Sequence, residues 1–327
     1  MRVPAAVLAA ALALPCAAEN IVSGQARAQA ETWHSPSPAR DGTQPRQAID
    51  LRWQVAAPVG AQLHGSAGLR HDAAGTGVRL FELALERPLA GGYATAGKKV
   101  MSWDVGYAFR PLDVVQQEDR RALYPGTLEG VPLLAWEAFD AERAVTVVWS
   151  NPGHGKAGQP RDDGALAVRL YRQRGARDEY AVLRASARNG IEAGASFSQV
   201  VDEGLELHGA LLAQQRHDEW DGMRWQPRTG GGKALAGFTW TTEGRLSVLG
   251  EAWVDRTVLA AQRRNLLLRA AQKLGDVELV ADVLWRRAGR VATLGASWKP
   301  DAWLLSATWR RYDGIGSVAL LTVERGF

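Results

Sequence analysis

The stretch SVALLTVERGF, residues 317–327, ends the sequence. Counting back from Phe327 and past Arg325, alternate residues read Val323, Leu321 and Ala319, whereas the interleaved set reads Gly326, Glu324, Thr322 and Leu320. One face is apolar and the other largely polar, as in a strand lying between two different media. Whether the apolar face meets a protein core or lipid decides the fold.

The same rhythm fills the chain from about residue 48 onward, as stretches of about 8–11 alternating residues separated by turns rich in Gly, Asp, Pro or Arg. IDLRWQV (49–55) sets Ile49, Leu51, Trp53 and Val55 against Asp50, Arg52 and Gln54. LAVRLYRQ (166–173) sets Leu166, Val168 and Leu170 against Arg169, Tyr171 and Gln173. VELVADVLW (277–285) and WLLSATWRR (303–311) repeat the pattern. Period two dominates and no helix of globular length emerges.

Alternation alone also suits soluble all-β folds, so three further features decide. Full charges sit in strand interiors (Asp282, Arg169, Arg184, Arg269, Glu251), as a wet lumen allows. Trp285, Trp298, Trp303 and Trp309 all lie within a residue or two of a turn, where an interface girdle places them. Connections also alternate in length. Counted back from the end, one set holds 310–316, 286–290, 255–265, 216–233, 188–190, 152–164 and 110–129, while the other holds only short turns such as KPDA, KLGD and DAE. Long external loops and short periplasmic turns are expected of a transmembrane barrel. About 17 strands can be counted, and since such a barrel closes with an even number, the expectation is an all-β, antiparallel transmembrane β-barrel of about 16 strands, with 14 to 18 open.

The N-terminus reads differently. MRVPAAVLAAALALPCAA carries one Arg, an apolar run and then small residues, which predicts a secretory signal over residues 1–30. Cleavage is expected after Ala30, in AQA, with Ala18 as the alternative. Residues 31–47, rich in Pro and Ser, are expected as a disordered periplasmic lead, and 48–327 as the barrel. The one cysteine, Cys16, falls inside the leader, so the exported chain has no disulfide or thiolate chemistry. The net charge of +4 is small for 327 residues and the basic residues are scattered, which argues against nucleic-acid binding.

Leader, alternating strands, tryptophans at strand ends and a terminal Phe together resemble the Gram-negative outer-membrane β-barrels, and among them the porin-like channels. The resemblance covers nearly the whole exported chain by architecture. It implies residence in the bacterial outer membrane, contact with its lipid, and reading of the last strand by the barrel-assembly machinery, with Phe327 as the assembly signal. Arg325 departs from the hydrophobic residue usual two places before the end. A second likeness lies in GKKVMSWDVGYAFRPLDVVQQEDRR (97–121), a segment of several porin-like families that precedes a long external loop. Gly97 and Gly106 permit bends, Pro111 ends the strand and Asp113 caps the turn. The loop beyond suits folding over or into the lumen, or a solvated external position.

Catalytic groups are sparse. His154 has no serine beside it, His208 shares a face with Glu206, and His217 with Asp218 is expected in a solvated loop; no His and acid spacing matches a metal motif. The reading is therefore not an enzyme, with no cofactor and no metal. The expected lumen face carries Arg52, Arg169, Arg184, Arg245, Arg269, Arg286 and Arg310 against Glu206, Glu251, Glu278 and Asp282, nearly balanced in sign. A water-filled channel for small hydrophilic solutes follows from about 16 strands, where 8 would be filled by side chains. The alternative is a barrel with a plugged lumen that serves adhesion, export or assembly of a partner through the loops at 110–129 and 216–233.

The terminal Phe yields a first prediction. One exposed aromatic side chain contributes about 1.5–3 kcal/mol by burial, too little to unfold a barrel with every edge paired. Deleting Phe327 is expected to lower the amount reaching the outer membrane sharply, while the variant refolded in detergent keeps a near-native melting temperature. Normal membrane levels after the deletion would contradict the signal role.

Overall fold

Eighteen strands and their connections make up the computed structural model, which describes residues 21–35, 41–57, 60–118, 120–123, 128–151, 164–220 and 223–327. In chain order the strands are β1 (Ile21–His34), β2 (Gly42–Ala57), β3 (Ala61–Asp72), β4 (Gly75–Leu89), β5 (Gly92–Lys99) and β6 (Val131–Phe139). Next come β7 (Arg143–Ser150), β8 (Ala165–Arg174), β9 (Arg177–Ser186), β10 (Gly190–Val200), β11 (Leu205–Trp220) and β12 (Trp225–Thr241). The last six are β13 (Leu246–Asp255), β14 (Arg264–Leu274), β15 (Val277–Arg286), β16 (Gly289–Trp298), β17 (Trp303–Tyr312) and β18 (Gly316–Gly326).

Each strand pairs antiparallel with the next, and β18 returns to β1, so the sheet closes on itself. The two faces of β18 answer the opening question. Val318, Leu320, Thr322 and Glu324 are buried inward, whereas Leu321 is 59% and Val323 40% exposed on the outward face. The apolar face therefore has no protein against it. The same division runs round the wall: Leu134, Leu166, Leu183, Leu211, Leu266 and Leu294 are large, apolar and exposed.

Connection lengths follow the expected alternation. At the end where β1 begins and β18 finishes, turns run from two to four residues; the long connections, including 100–130, 151–164 and 256–263, all leave the opposite end.

The strand count is 18, and the missing strand lies where none was expected. QARAQAE (25–31) alternates polar residues with Ala26, Ala28 and Ala30, and in the barrel these alanines face outward from β1. Alanine gives weak hydrophobic contrast, so this strand reads in sequence as the end of a leader. Residues 31–34 complete β1 and 42–47 open β2, which corrects the expected disordered lead; residues 1–20, within the expected leader, and 36–40 lie outside the described residues. The extra strand also restores the even parity that a count of 17 lacked.

Two local features complete the wall. In β4, Ser66 pairs with Glu82 and Ala67 with Leu80, so Phe81 is an extra residue in a bulge and turns inward, buried. At the seam, Gly24 and Phe327 exchange backbone hydrogen bonds of 2.9 and 3.0 Å, and the Phe327 ring lies against Gly24. A Cβ there would sit 2.2 Å from the ring, so a side chain at this position would push the ring aside.

Cleavage after Ala30 would remove most of β1, whereas cleavage after Ala18 spares it. N-terminal sequencing of the protein from membranes is expected to begin at Glu19; a start at Glu31 would contradict β1 as a wall strand.

Candidate functional site

Between β5 and β6 the chain leaves the wall for 31 residues, 100–130, and much of that segment is buried inside the barrel. Its first half is knotted by its own polar groups. The Asp113 carboxylate accepts hydrogen bonds from Trp103 N (2.6 Å), Asp104 N (3.0 Å) and Ser102 Oγ (3.1 Å), and from Arg110 Nε (2.7 Å). Arg110 donates in turn to the carbonyls of Gly106 (2.9 Å) and Asp104 (2.6 Å). The Asp104 carboxylate accepts from Val105 N (2.7 Å) and Leu112 N (2.5 Å). Burial pushes the Asp104 carboxyl up to about 6, against opposing backbone hydrogen bonds from Leu112 and Val105. Its folded value lies above the unfolded one, so the ionised form weakens the knot and that stability returns as pH falls from about 6 toward 4. The residues that resemble a porin-like segment in sequence are thus the ones that fix this fold-back.

The knot rests on an apolar seat. Trp103, Leu112 and Val115 pack against Val131, Leu133, Val148, Ala167, Val182 and Leu212, from the inner faces of β6–β9 and β11. The tip reaches a second cluster, where Tyr107 and Ala108 meet Leu267, Leu284 and Val291. Phe109 stacks on Trp253 with centroids 5.6 Å apart. Glu251 holds the tip: its carboxylate accepts from Tyr107 N (2.5 Å) and Ala108 N (2.8 Å) and lies 3.1 Å from His208 Nε2. Gly237 makes room for this pair, since a Cβ there would lie 2.3 Å from His208 Nε2.

Past the tip, the returning limb is tied to the far wall. Arg121 Nη2 donates to Asp282 Oδ1 (2.8 Å), and Arg310 Nη1 donates to the Arg121 carbonyl (2.7 Å). These contacts fall on β6–β9, β11 and β13–β17. The remaining arc, β18 and β1–β3, presents Arg27, Glu31, Asp50, Arg52, Ser66 and Glu324 inward, with Arg27 paired to Glu324 at 2.8 Å.

The expected lumen residues divide accordingly. Arg52, Glu206, Arg269, Glu278, Asp282, Arg286 and Arg310 point inward from β2, β11, β14, β15 and β17. Arg169 also points inward, its guanidinium 4.9 Å from the Tyr180 ring. Arg184 and Glu251 face inward yet are sealed from solvent, Arg184 in a pair with Glu192 that Gln214 joins. Arg245 does not belong to the lumen. It sits in the turn 242–245 between β12 and β13 at φ 61°, because the turn runs on through Arg245 instead of ending at Gly244. Trp285 and Trp309 are exposed on the outward face near one rim, and Trp298 and Trp303 near the other.

The histidines are redistributed too. His208 has Glu251 as its partner, not Glu206, which accepts from Ser198 Oγ at 2.7 Å. His217 and Asp218 lie in β11, since 216–233 is mostly a long hairpin rather than a loop: Arg216 pairs with Thr229 and Trp220 with Trp225. Charges and glycines hide these strand ends because a hairpin rising above the wall has no apolar face to show. His154 lies outside the described residues.

Sequence reading missed the apolar seat, although a signal exists. VPLLAWEAF (131–139), RAVTVVWS (143–150) and ALAVRL (165–170) are apolar on both faces, one outward and one under the loop.

Replacing Glu251 with Ala removes the acceptor for two tip amides and leaves His208 without its carboxylate. A charge-assisted set of this kind is worth about 2 kcal/mol, roughly a thirty-fold larger open population of the loop. Trypsin is expected to cut the Glu251→Ala variant after Arg120 or Arg121 while the native protein resists; equal resistance would contradict the role of Glu251.

No protein-family model and no curated protein matches the sequence. Solved structures do. A triple mutant of Rhodopseudomonas blastica porin is 13% identical, with a TM-score of 0.56 over 94% of this chain and 100% of that chain. A second mutant of the same porin, 12% identical, also gives 0.56 over the same shares. At this identity the likeness is one of fold: the chain is built as a closed antiparallel β-barrel of the porin kind.

Proposed function

We propose that the protein is an outer-membrane, porin-like channel that passes small hydrophilic solutes. The observation that carries this reading is the division of the lumen. The loop at 100–130 covers the apolar inner faces, whereas charged and hydroxylated side chains face inward along β14–β18 and β1–β3. A barrel of 18 strands is wide enough to keep an aqueous path beside such a loop, where a small barrel is filled by its own side chains. A hydrated route would run past those polar walls.

The outward face supports a bilayer as surroundings. Exposed leucines ring the wall between tryptophans at both rims, as an apolar band between interface girdles requires. Outer-membrane lipid and the barrel-assembly machinery are the partners this reading names, the latter through Phe327. Catalysis forms no part of it, for His208 and Glu251, the one buried His–carboxylate pair at hydrogen-bond distance among the described residues, serve the loop tip.

Protein refolded in detergent and added to a planar bilayer is expected to produce stepwise, ohmic conductance increments. Absence of any step above bilayer leak, from protein shown to be folded by its slower migration after boiling, would overturn the channel reading.

A further inference from the structure

A cavity of about 260 Å³ lies between the returning limb of the loop, at Arg120–Leu123, and the inner faces of β14–β18. Its walls are ordered in rows by the strand register. One row crosses the sheet as Arg269, Asp282, Thr293 and Arg310, each paired with the next across β14, β15, β16 and β17. A parallel row crosses β16, β17 and β18 as Ser297, Ser306 and Thr322, again each opposite the next. Thr308 stands between the rows. A strand rises about 3.3 Å per residue, so Thr308 lies about 7 Å and Ser306 about 13 Å along β17 from Arg310.

The two rows differ in chemistry. Ser297, Ser306, Thr308 and Thr322 are short hydroxyls that both donate and accept, a lining suited to a solute with hydroxyls of its own. The other row is cationic. Of the acids at the cavity, Glu278 faces Lys273 across the β14–β15 ladder, Glu324 takes Arg27 at 2.8 Å, and Asp282 takes Arg121 at 2.8 Å. Arg269 reaches Asp282 only at 3.8 Å and lies over the Tyr107 ring. Arg310 is held by neutral acceptors, Thr293 Oγ1 at 2.9 Å and the Arg121 carbonyl at 2.7 Å. Glu324 and Asp282 are thus paired at contact distance, Glu278 stands opposite Ser297 in the hydroxyl row, and the guanidinium charge of Arg269 and Arg310 is fixed at the other end of the lining.

We infer that this cavity is a lumenal subsite for small hydroxylated organic anions, with the solute carboxylate toward Arg269 and Arg310 and its hydroxyls along Thr308, Ser306, Ser297 and Thr322. The inference deepens the channel reading and rests on it for its biological sense. A neutral sugar satisfies the hydroxyls and leaves the guanidinium charge unanswered. A plain carboxylate answers the charge and leaves the hydroxyls to water. A cation meets the wrong sign. Guanidinium is well matched to carboxylate, and hydroxyls that a ligand covers without answering them discriminate against an analogue that lacks hydroxyls.

The test measures binding rather than conduction, so failure of this inference and failure of the channel reading are distinguishable. Saturation-transfer NMR on the full chain refolded in detergent, with gluconate, glucose and butyrate as probes, compares the three classes directly. Gluconate is expected to bind saturably and about tenfold more tightly than either comparator, the equivalent of 1.4 kcal/mol. Arg310→Gln is expected to cancel the advantage over glucose, and Thr308→Val to cut the advantage over butyrate. Gluconate no tighter than glucose and butyrate on the native protein would overturn the subsite, whatever the variants do. A gluconate preference that survives both substitutions would overturn its placement here.

Discussion

A strand in hydrocarbon cannot leave a backbone N–H or C=O unpaired, and everything else in this protein depends on meeting that constraint at the one seam where the chain meets itself. Ten residue pairs join β1 to β18, from Gln25 opposite Gly326 to His34 opposite Ser317. Beyond the first of them, Gly24 and Phe327 exchange two further backbone bonds, and the aromatic ring covers the glycine. On the inner face, Arg27 and Gln25 of β1 both hold Glu324 of β18. The seam is thus locked by backbone pairing, by a ring on the outside and by charge on the inside.

Closure turns one face of every strand into a lumen, and the lumen then needs filling in part. The loop at 100–130 does this with two kinds of contact. Its hydrophobic seat under β6–β9 supplies non-directional stabilisation, while the Asp113–Arg110 knot and Glu251 specify shape. Polar groups at these positions are buried but well partnered, as low-dielectric surroundings demand. The consequence is asymmetry: the loop's apolar side is hidden against one arc, and hydroxylated or charged residues define the remainder.

Much of this was legible in sequence because period two survives wherever one face meets an apolar medium and the other meets water. SVALLTVERGF, VELVADVLW and WLLSATWRR occupy β18, β15 and β17 with the faces read from alternation. The failures have physical causes. Strand β1 was hidden because its outward face is alanine, a residue that also ends signal peptides. The ends of β11 and β12 were hidden because a hairpin projecting above the wall meets water on both faces. Strands β6–β8 hid the loop's seat, since two apolar faces break the alternation. Glu251 matters through residues far away in sequence, at Tyr107 and His208, and no local pattern announces such pairs.

The placement of β1 between β18 and β2 is the claim on which the barrel stands, and a cross-link reads it directly. Ala28 of β1 lies opposite Val323 of β18, and no cysteine occurs in the sequence after Cys16. Cysteines at both positions, Ala28→Cys with Val323→Cys, are within reach of a disulfide that ties the two ends of the chain together. Mild oxidation of the refolded double variant should give one intramolecular cross-linked band of altered mobility that reverts on reduction. Cross-linking of Ile49→Cys with Val323→Cys instead, β2 directly against β18, would show a barrel closed without β1 and contradict the account.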